Sequence, residues 1–173
     1  MMTRREMLGM TSVAIIAIAT AGVFAMGRPE QEGSSGEPDP GNAFPVRKTD
    51  AQWRAMLSPA SYDVLRHEGT EAPFTSPLLK EHRDGIFSCA GCDNRLFESR
   101  TKYDSHTGWP SFWDVREKAI VKREDRSIGM ARTEVRCATC GGHLGHVFDD
   151  GPKPTGLRYC MNGVAMTFQP SKA

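Results

Sequence analysis

The chain has 173 residues, of which 39% are hydrophobic and 25% charged. That is the make-up of one soluble domain, or one domain with a tail, and it excludes a fully disordered chain and a multi-span membrane protein. Lys and Arg number 22 against 21 Asp and Glu, a net charge of +1, so the broad basic footprint of a nucleic-acid binder is absent. Five cysteines is an odd count, and at least one lies outside any intramolecular pair.

The N-terminus reads as a targeting segment. Arg4 and Arg5 precede Met7 to Met26, twenty residues without a charge. A basic start and an apolar run are the parts of an export signal. Thr3-Arg4-Arg5-Glu6-Met7-Leu8 is similar to a twin-arginine signal, which serves proteins exported already folded, although Met7 stands where a Phe is usual. Ala19-Thr20-Ala21 offers a small-residue cleavage site. Left uncleaved, the same stretch is long enough to remain as a membrane anchor, since about 20 residues cross a bilayer. A lipoprotein signal is excluded because the first cysteine is Cys89. Residues 1–27 are therefore expected to be an export signal or anchor, which places the protein in the periplasm or on the outer face of the membrane. Residues 28–45 follow as a flexible linker. They are rich in Pro, Gly and Ser, with Phe44 the only large apolar residue, too little to offset the entropy of ordering.

The folded domain is expected over 46–170. Asp50 can cap a short helix carrying Trp53, Met56 and Leu57 on one side, and Ser58-Pro59 can open a second with Tyr62 and Leu65 inward, ending at Gly69. After Pro73 the pattern changes to short apolar runs separated by Gly, Asp, Asn or Pro. The runs are Gly85–Cys89, Arg95–Glu98, Ala119–Val121, Thr133–Cys137, His146–Phe148 and Leu157–Cys160. They predict an antiparallel, mainly β domain.

Cys89-Ala90-Gly91-Cys92 and Cys137-Ala138-Thr139-Cys140 are two C-x-x-C turns separated by 44 residues, each following a predicted strand. Two such turns can supply a tetrahedral four-sulfur site suited to a structural Zn²⁺, one per chain, with no position left open for substrate. Two disulfides, which export would favour, are the alternative. A thioredoxin-like redox role is disfavoured because neither pair lies in a βαβ context.

Cys160 stands apart from these four. A lone cysteine is often only a small buried hydrophobe. Here Arg158 lies at i−2, on the same face of a strand, where its cation favours a thiolate. His143 and His146 lie upstream, and histidine is the side chain most able to move protons near neutral pH. Ser105 to Trp113 forms a rigid aromatic turn. Trp109, between Gly108 and Pro110, suits a pocket wall, while Phe112 and Trp113 serve either the pocket or the core.

These motifs together resemble the methionine-R-sulfoxide reductases, the B-type peptide methionine sulfoxide reductases. The runs that carry the likeness are Cys89-x-x-Cys92, Thr107-Gly108-Trp109-Pro110-Ser111-Phe112, Cys137-x-x-Cys140, His143-Leu144-Gly145-His146-Val147-Phe148, Asp150-Gly151-Pro152, Pro154-Thr155-Gly156 and Arg158-Tyr159-Cys160-x-Asn162, in family order. The resemblance implies a mainly β fold of two antiparallel sheets with short N-terminal helices, stapled by a four-cysteine zinc site. It implies reduction of the R epimer of methionine sulfoxide, free or in proteins, with Cys160 as nucleophile passing through a sulfenic acid. It implies that His146, helped by His143, holds and protonates the sulfoxide oxygen and that Asn162 arranges this network. Trp109 would receive the substrate methyl group, with Phe112 as a second substrate contact. Arg158 and Asp150 would orient the loop and bias Cys160 toward thiolate.

Three positions depart from the family pattern. Thr107 stands where many members carry a resolving cysteine, so the sulfenic acid is expected to be reduced directly by a thioredoxin-like protein or a small thiol. His106 stands where a Gly is usual, and Gly163 where a Ser is usual. The competing reading is a non-catalytic zinc-stabilised β binding module, which has no need for Cys160, His143, His146 and Asn162 together. A nucleic-acid-binding zinc ribbon would need basic residues clustered at the knuckles, where only Arg95, Arg132 and Arg136 lie nearby.

Overall fold

Thr49 opens the first regular element of the computed structural model, which describes residues 44–172. The export or anchor segment and the linker as far as residue 43 lie outside the described residues. Phe44, near the end of the linker, lays its ring against Gly141, and Val46, the first residue of the expected domain, donates its N–H to Thr139 O at 2.8 Å. Among the described residues, no helix is long and apolar enough to cross a membrane.

Helix α1, Asp50–Met56, is capped by Thr49 rather than Asp50. The Thr49 hydroxyl accepts from Gln52 N–H, and the Gln52 side chain accepts in return from Thr49 N–H. Asp50 sits in the first turn, where a negative charge suits the helix dipole, and its carboxylate takes the Tyr62 hydroxyl and pairs with Arg54. Helix α2, Pro59–His67, has Ser58 as its cap and Pro59 at its first position, where the missing N–H costs nothing. It ends through Glu68 in the left-handed conformation. Trp53, Leu57, Tyr62, Val64 and Leu65 are buried.

Nine strands follow, all antiparallel. They are β1 (Gly85–Cys89), β2 (Arg95–Glu98), β3 (Lys102–Tyr103), β4 (Ser111–Phe112), β5 (Ile120–Asp125), β6 (Arg132–Cys137), β7 (His143–Phe148), β8 (Arg158–Met161) and β9 (Met166–Pro170). They form two sheets, one of order β2-β1-β9 and one of order β3-β4-β8-β7-β6-β5. The expected mainly β class with two antiparallel sheets and two short helices is what the structure shows. β3, β4 and β9 are additional to the predicted runs, and β5 and β7 are longer than expected.

The core includes Phe87, Leu96 and Phe97 from the small sheet and Phe112, Val135, Leu144, Tyr159 and Met161 from the large one. Phe97 and Phe112 stack with centroids 4.2 Å apart, and Phe87 meets Phe112 edge-on at 5.0 Å. Each fully buried Phe contributes roughly 1.5–3 kcal/mol relative to exposure. Phe112 is 0% exposed and lies within this aromatic stack.

Candidate active site and metal centre

Cys160 lies near the middle of the six-stranded sheet, flanked by β4 and β7. Register places one residue from every strand in a single cross-strand row: Tyr103, Ser111, Cys160, His146, Glu134 and Arg123. Residues directly opposite in antiparallel strands share a face. The neighbours of Cys160 along its strand, Tyr159 and Met161, point into the core, so Cys160 faces the other way and is half-buried.

A bulge brings the second histidine onto that face. His143 and His146 are three apart, which in a regular strand would put them on opposite sides. The β6–β7 register shifts so that Val135 opposes Gly145 while Arg136 opposes His143. Gly145 allows this with φ 153°, and a Cβ there would lie 2.2 Å from Cys160 O. The two imidazole centroids are 5.4 Å apart.

Each imidazole is held by its own carboxylate. His143 Nδ1 meets Glu134 Oε1 at 2.7 Å, and both side chains are almost completely buried. His146 Nε2 meets Asp125 Oδ2 at 2.8 Å, with Arg132 on the same carboxylate. Burial alone would raise Glu134, but the His143 bond and the charges of Arg136 and Arg123 hold it below its usual value. Backbone and side-chain hydrogen bonds from Ser127, then the His146 bond, hold Asp125 well below the carboxylate range. Burial lowers His146, against the pull of Asp125 in the other direction. His143 Nε2 is buried without a partner, as is the Tyr103 hydroxyl at the end of the row.

The other expected site residues are placed as follows. Asn162 is buried, with Nδ2 donating to Leu144 O at 3.1 Å and Oδ1 accepting from Glu71 N–H at 3.0 Å. Its amide ties β7 and the 71 loop to the end of β8. Trp109 is half-buried, and its Nε1–H donates to Glu71 O at 3.0 Å. The Glu71 carboxylate accepts from the N–H groups of Gly163 and Val164. Arg158 and Asp150 form a two-toothed pair with both contacts at 2.8 Å, and the guanidinium lies over Phe148. His106 occupies a left-handed position (φ 58°), which explains why glycine suits it, and its side chain is 85% exposed. At Gly163 a Cβ would lie 1.8 Å from Ser76 Oγ, so the serine hydroxyl of a different segment fills that space.

Sequence reading missed Glu134, Asp125, Glu71, Ser105 and Ser111. Glu134 had a signal, since it alternates with Val135 inside a short strand. Glu71 had none, because its role depends on a loop folding over residues some 90 positions later.

The metal centre joins the two sheets. Cys89 ends β1 of the small sheet and Cys137 ends β6 of the large one. Both turns are built alike. Asp93 N–H bonds to Cys89 O and Gly141 N–H to Cys137 O, each at 2.9 Å, with Asp93 and Gly141 left-handed. The four sulfurs lie within 4.8 Å of one another, Cys89–Cys140 at 3.7 Å and Cys92–Cys137 at 3.5 Å. These are separate thiols, since a disulfide is about 2.05 Å long. Tetrahedral zinc with Zn–S of about 2.3 Å requires sulfur–sulfur edges of about 3.8 Å. Crowded together, the thiols contest their protons: Cys89 and Cys140 are pushed up by their neighbours, and Cys137 is held down. A dication resolves that conflict, and the four cysteines are positioned to hold one metal ion.

The SelR domain family matches residues 57–170. The chain is 54% identical over 126 residues to the peptide methionine sulfoxide reductase MsrB of Agrobacterium fabrum, covering 72% of this chain and 93% of that one. It is 54% identical over 129 residues to the MsrB of Leifsonia xyli subsp. xyli, covering 73% and 93%. With the MsrB of Leptospira interrogans it shares 50% over 127 residues, covering 73% and 97%. A four-cysteine cluster joining two sheets, a strand-borne cysteine beside two carboxylate-held histidines, and relatives alike over nearly their whole length lead to one conclusion: the chain belongs to the SelR-domain family of B-type peptide methionine sulfoxide reductases.

Proposed function

We propose that the domain reduces the R epimer of methionine sulfoxide to methionine, with Cys160 as its nucleophile. Reduction of methionine sulfoxide is the activity of the family. The observation that carries the assignment of roles is the row that sets Cys160 beside His146, with the unpartnered, buried His143 Nε2 on the same face. In this reading the Cys160 thiolate attacks the sulfoxide sulfur. The sulfur–oxygen bond breaks, the oxygen ends on Cys160 as a sulfenic acid, and methionine leaves. Cys160 loses two electrons and the substrate sulfur gains them. His143 and His146 supply hydrogen-bond donors and a proton to the departing oxygen, each oriented by its carboxylate. Trp109, fixed through Nε1, walls the substrate methyl group.

Thr107 lies beside Cys160, and the other four cysteines form the metal cluster. The sulfenic acid is therefore resolved by an external thiol, which forms a mixed disulfide with release of water. A second thiol then frees Cys160. A thioredoxin-like protein or a small thiol fits this step. The four-cysteine site takes one Zn²⁺, whose role is to link the two sheets. The N-terminal segment directs export by a twin-arginine-type route or anchors the domain, and fractionation of cells expressing the full chain with and without residues 1–27 tests this.

The decisive assay uses the R and S epimers of a methionine sulfoxide peptide with dithiothreitol, run beside Cys160→Ser. Turnover of R alone, abolished in the variant, is the expected result. Turnover of both epimers, or turnover retained in Cys160→Ser, overturns the reading.

A further inference from the structure

Three hydroxyls form a chain that ends on the reactive sulfur. Thr107 Oγ1 lies 3.8 Å from Cys160 Sγ and 2.8 Å from Ser105 Oγ. Ser105 Oγ lies 2.7 Å from Ser111 Oγ, the residue paired with Cys160 across β4 and β8. Ser111 is fully buried, and its hydroxyl donates to Trp109 O at 3.2 Å.

Each hydroxyl owns one proton and can accept two. That count allows two ordered arrangements. In the first, the Cys160 thiol donates to Thr107, Thr107 to Ser105, Ser105 to Ser111, and Ser111 to the Trp109 carbonyl. Every donor is used. Once Cys160 has lost its proton the sulfur can only accept, and the first arrangement turns an oxygen lone pair toward a negative charge. Rotating the three hydroxyls reverses the chain, so that Thr107 donates to the sulfur. The reversal gives up one neutral bond, to Trp109 O, and gains one to an anion, which is roughly twice as strong. The chain ends at a carbonyl oxygen, which takes up no proton at neutral pH. It therefore reorients without conducting, and the thiol proton leaves to solvent from the half-buried sulfur.

We propose that Thr107, backed by Ser105 and Ser111, is a positioning residue that supplies a switchable hydrogen-bond donor to Cys160 and favours its thiolate. The proposal rests on Cys160 being the nucleophile. It gives Thr107 a function of its own at a position where a cysteine would form a disulfide. The other titratable or charged groups around Cys160 are His146 and, beside it, His143 on β7, Tyr103 beyond Ser111, and Arg158 on the same strand. None is altered by replacing Thr107.

The test is alkylation of Cys160 by iodoacetamide in the zinc-loaded full-length protein, followed by mass spectrometry of the Cys160 peptide across pH. Native protein is compared with Thr107→Val, Thr107→Ser and Ser105→Ala, with circular dichroism and zinc content as controls of fold. Thr107→Val should alkylate about tenfold more slowly at pH 7, with the deficit closing as pH rises. Thr107→Ser should stay within about twofold of native, and Ser105→Ala should fall between, because an unbacked Thr107 donor is less well ordered. Identical profiles for native and Thr107→Val overturn the proposal. If Thr107→Val fails to fold, Ser105→Ala decides: slowing at pH 7 supports the chain, and a native profile overturns it. Failure of the functional reading is separate, because it shows as absent methionine sulfoxide turnover by native protein whatever the alkylation profiles.

Discussion

Glu134 is the residue on which the site's charge balance turns. It is 2% exposed, yet it carries a carboxylate shared by His143, Arg123 and Arg136. A buried charge survives only with such partners, and removing one partner leaves the others uncompensated. Glu134→Gln keeps the shape and an acceptor for His143 but removes the charge. It should lower stability by about 2–3 kcal/mol in urea unfolding near pH 7 and reduce kcat while KM changes little. The sign of the pH effect follows from the lowered carboxyl. Its contribution is fully present above the ordinary carboxyl range, about pH 4.5, and is lost as pH falls through the lower native value. His146 works the same way by a different route. Being lowered in the fold, it resists protonation that the unfolded chain accepts below about pH 6.5, so acid favours unfolding. Stability measured from pH 7 to pH 3 should fall steadily for the native protein and less steeply below pH 4.5 for Glu134→Gln. Cys160, His143 and His146 were legible in the sequence because their chemistry is scarce there. Their carboxylates were harder to find: Glu134 had only its place in the alternation of a short strand, and Asp125 had nothing to set it apart from the other Asp and Glu, which number 21 in all.

The β7 bulge is the element that makes two histidines into one site. Gly145 combines a backbone angle other residues avoid with an approach of 2.2 Å between a built Cβ and Cys160 O. Gly145→Ala must open the β7–β8 pairing or remove the bulge, and removing it turns His143 away from His146. The expected cost is about 2 kcal/mol or more in thermal unfolding, with loss of turnover in whatever protein remains folded. Spacing alone announced the knuckles and most strands, since polar turns bracket each short apolar run. β3 and β4 are two residues each and were hidden, because two residues show no alternation. β9 does alternate, Met166 and Phe168 lying on one face, but it is short and closes on Pro170, and it was not among the predicted strands.

At the level of the whole molecule, the large and small sheets meet in an apolar core and again at four sulfurs. Metal binding and folding are coupled at such a site. Cys89→Ser or Cys140→Ser should therefore lose the metal and lower Tm by many degrees, whereas Cys160→Ser keeps both metal and Tm. Chelation of the native protein should lower its Tm in the same way. The helices, the two sheets and their stapling by a four-cysteine site were expected, but which sheet each knuckle closes was not, because sequence spacing does not say which sheet a strand enters. The same arrangement governs what a cut chain would do. The β5–β6 hairpin ends in an exposed turn carrying Ile128 and Met130, the natural point of attack for a protease. A nick there divides the four clustered cysteines evenly, Cys89 and Cys92 on one fragment, Cys137 and Cys140 on the other. A metal ion bound there would act as a removable rivet: the fragments should stay together while it is bound, and a chelator should loosen them without any peptide bond being touched.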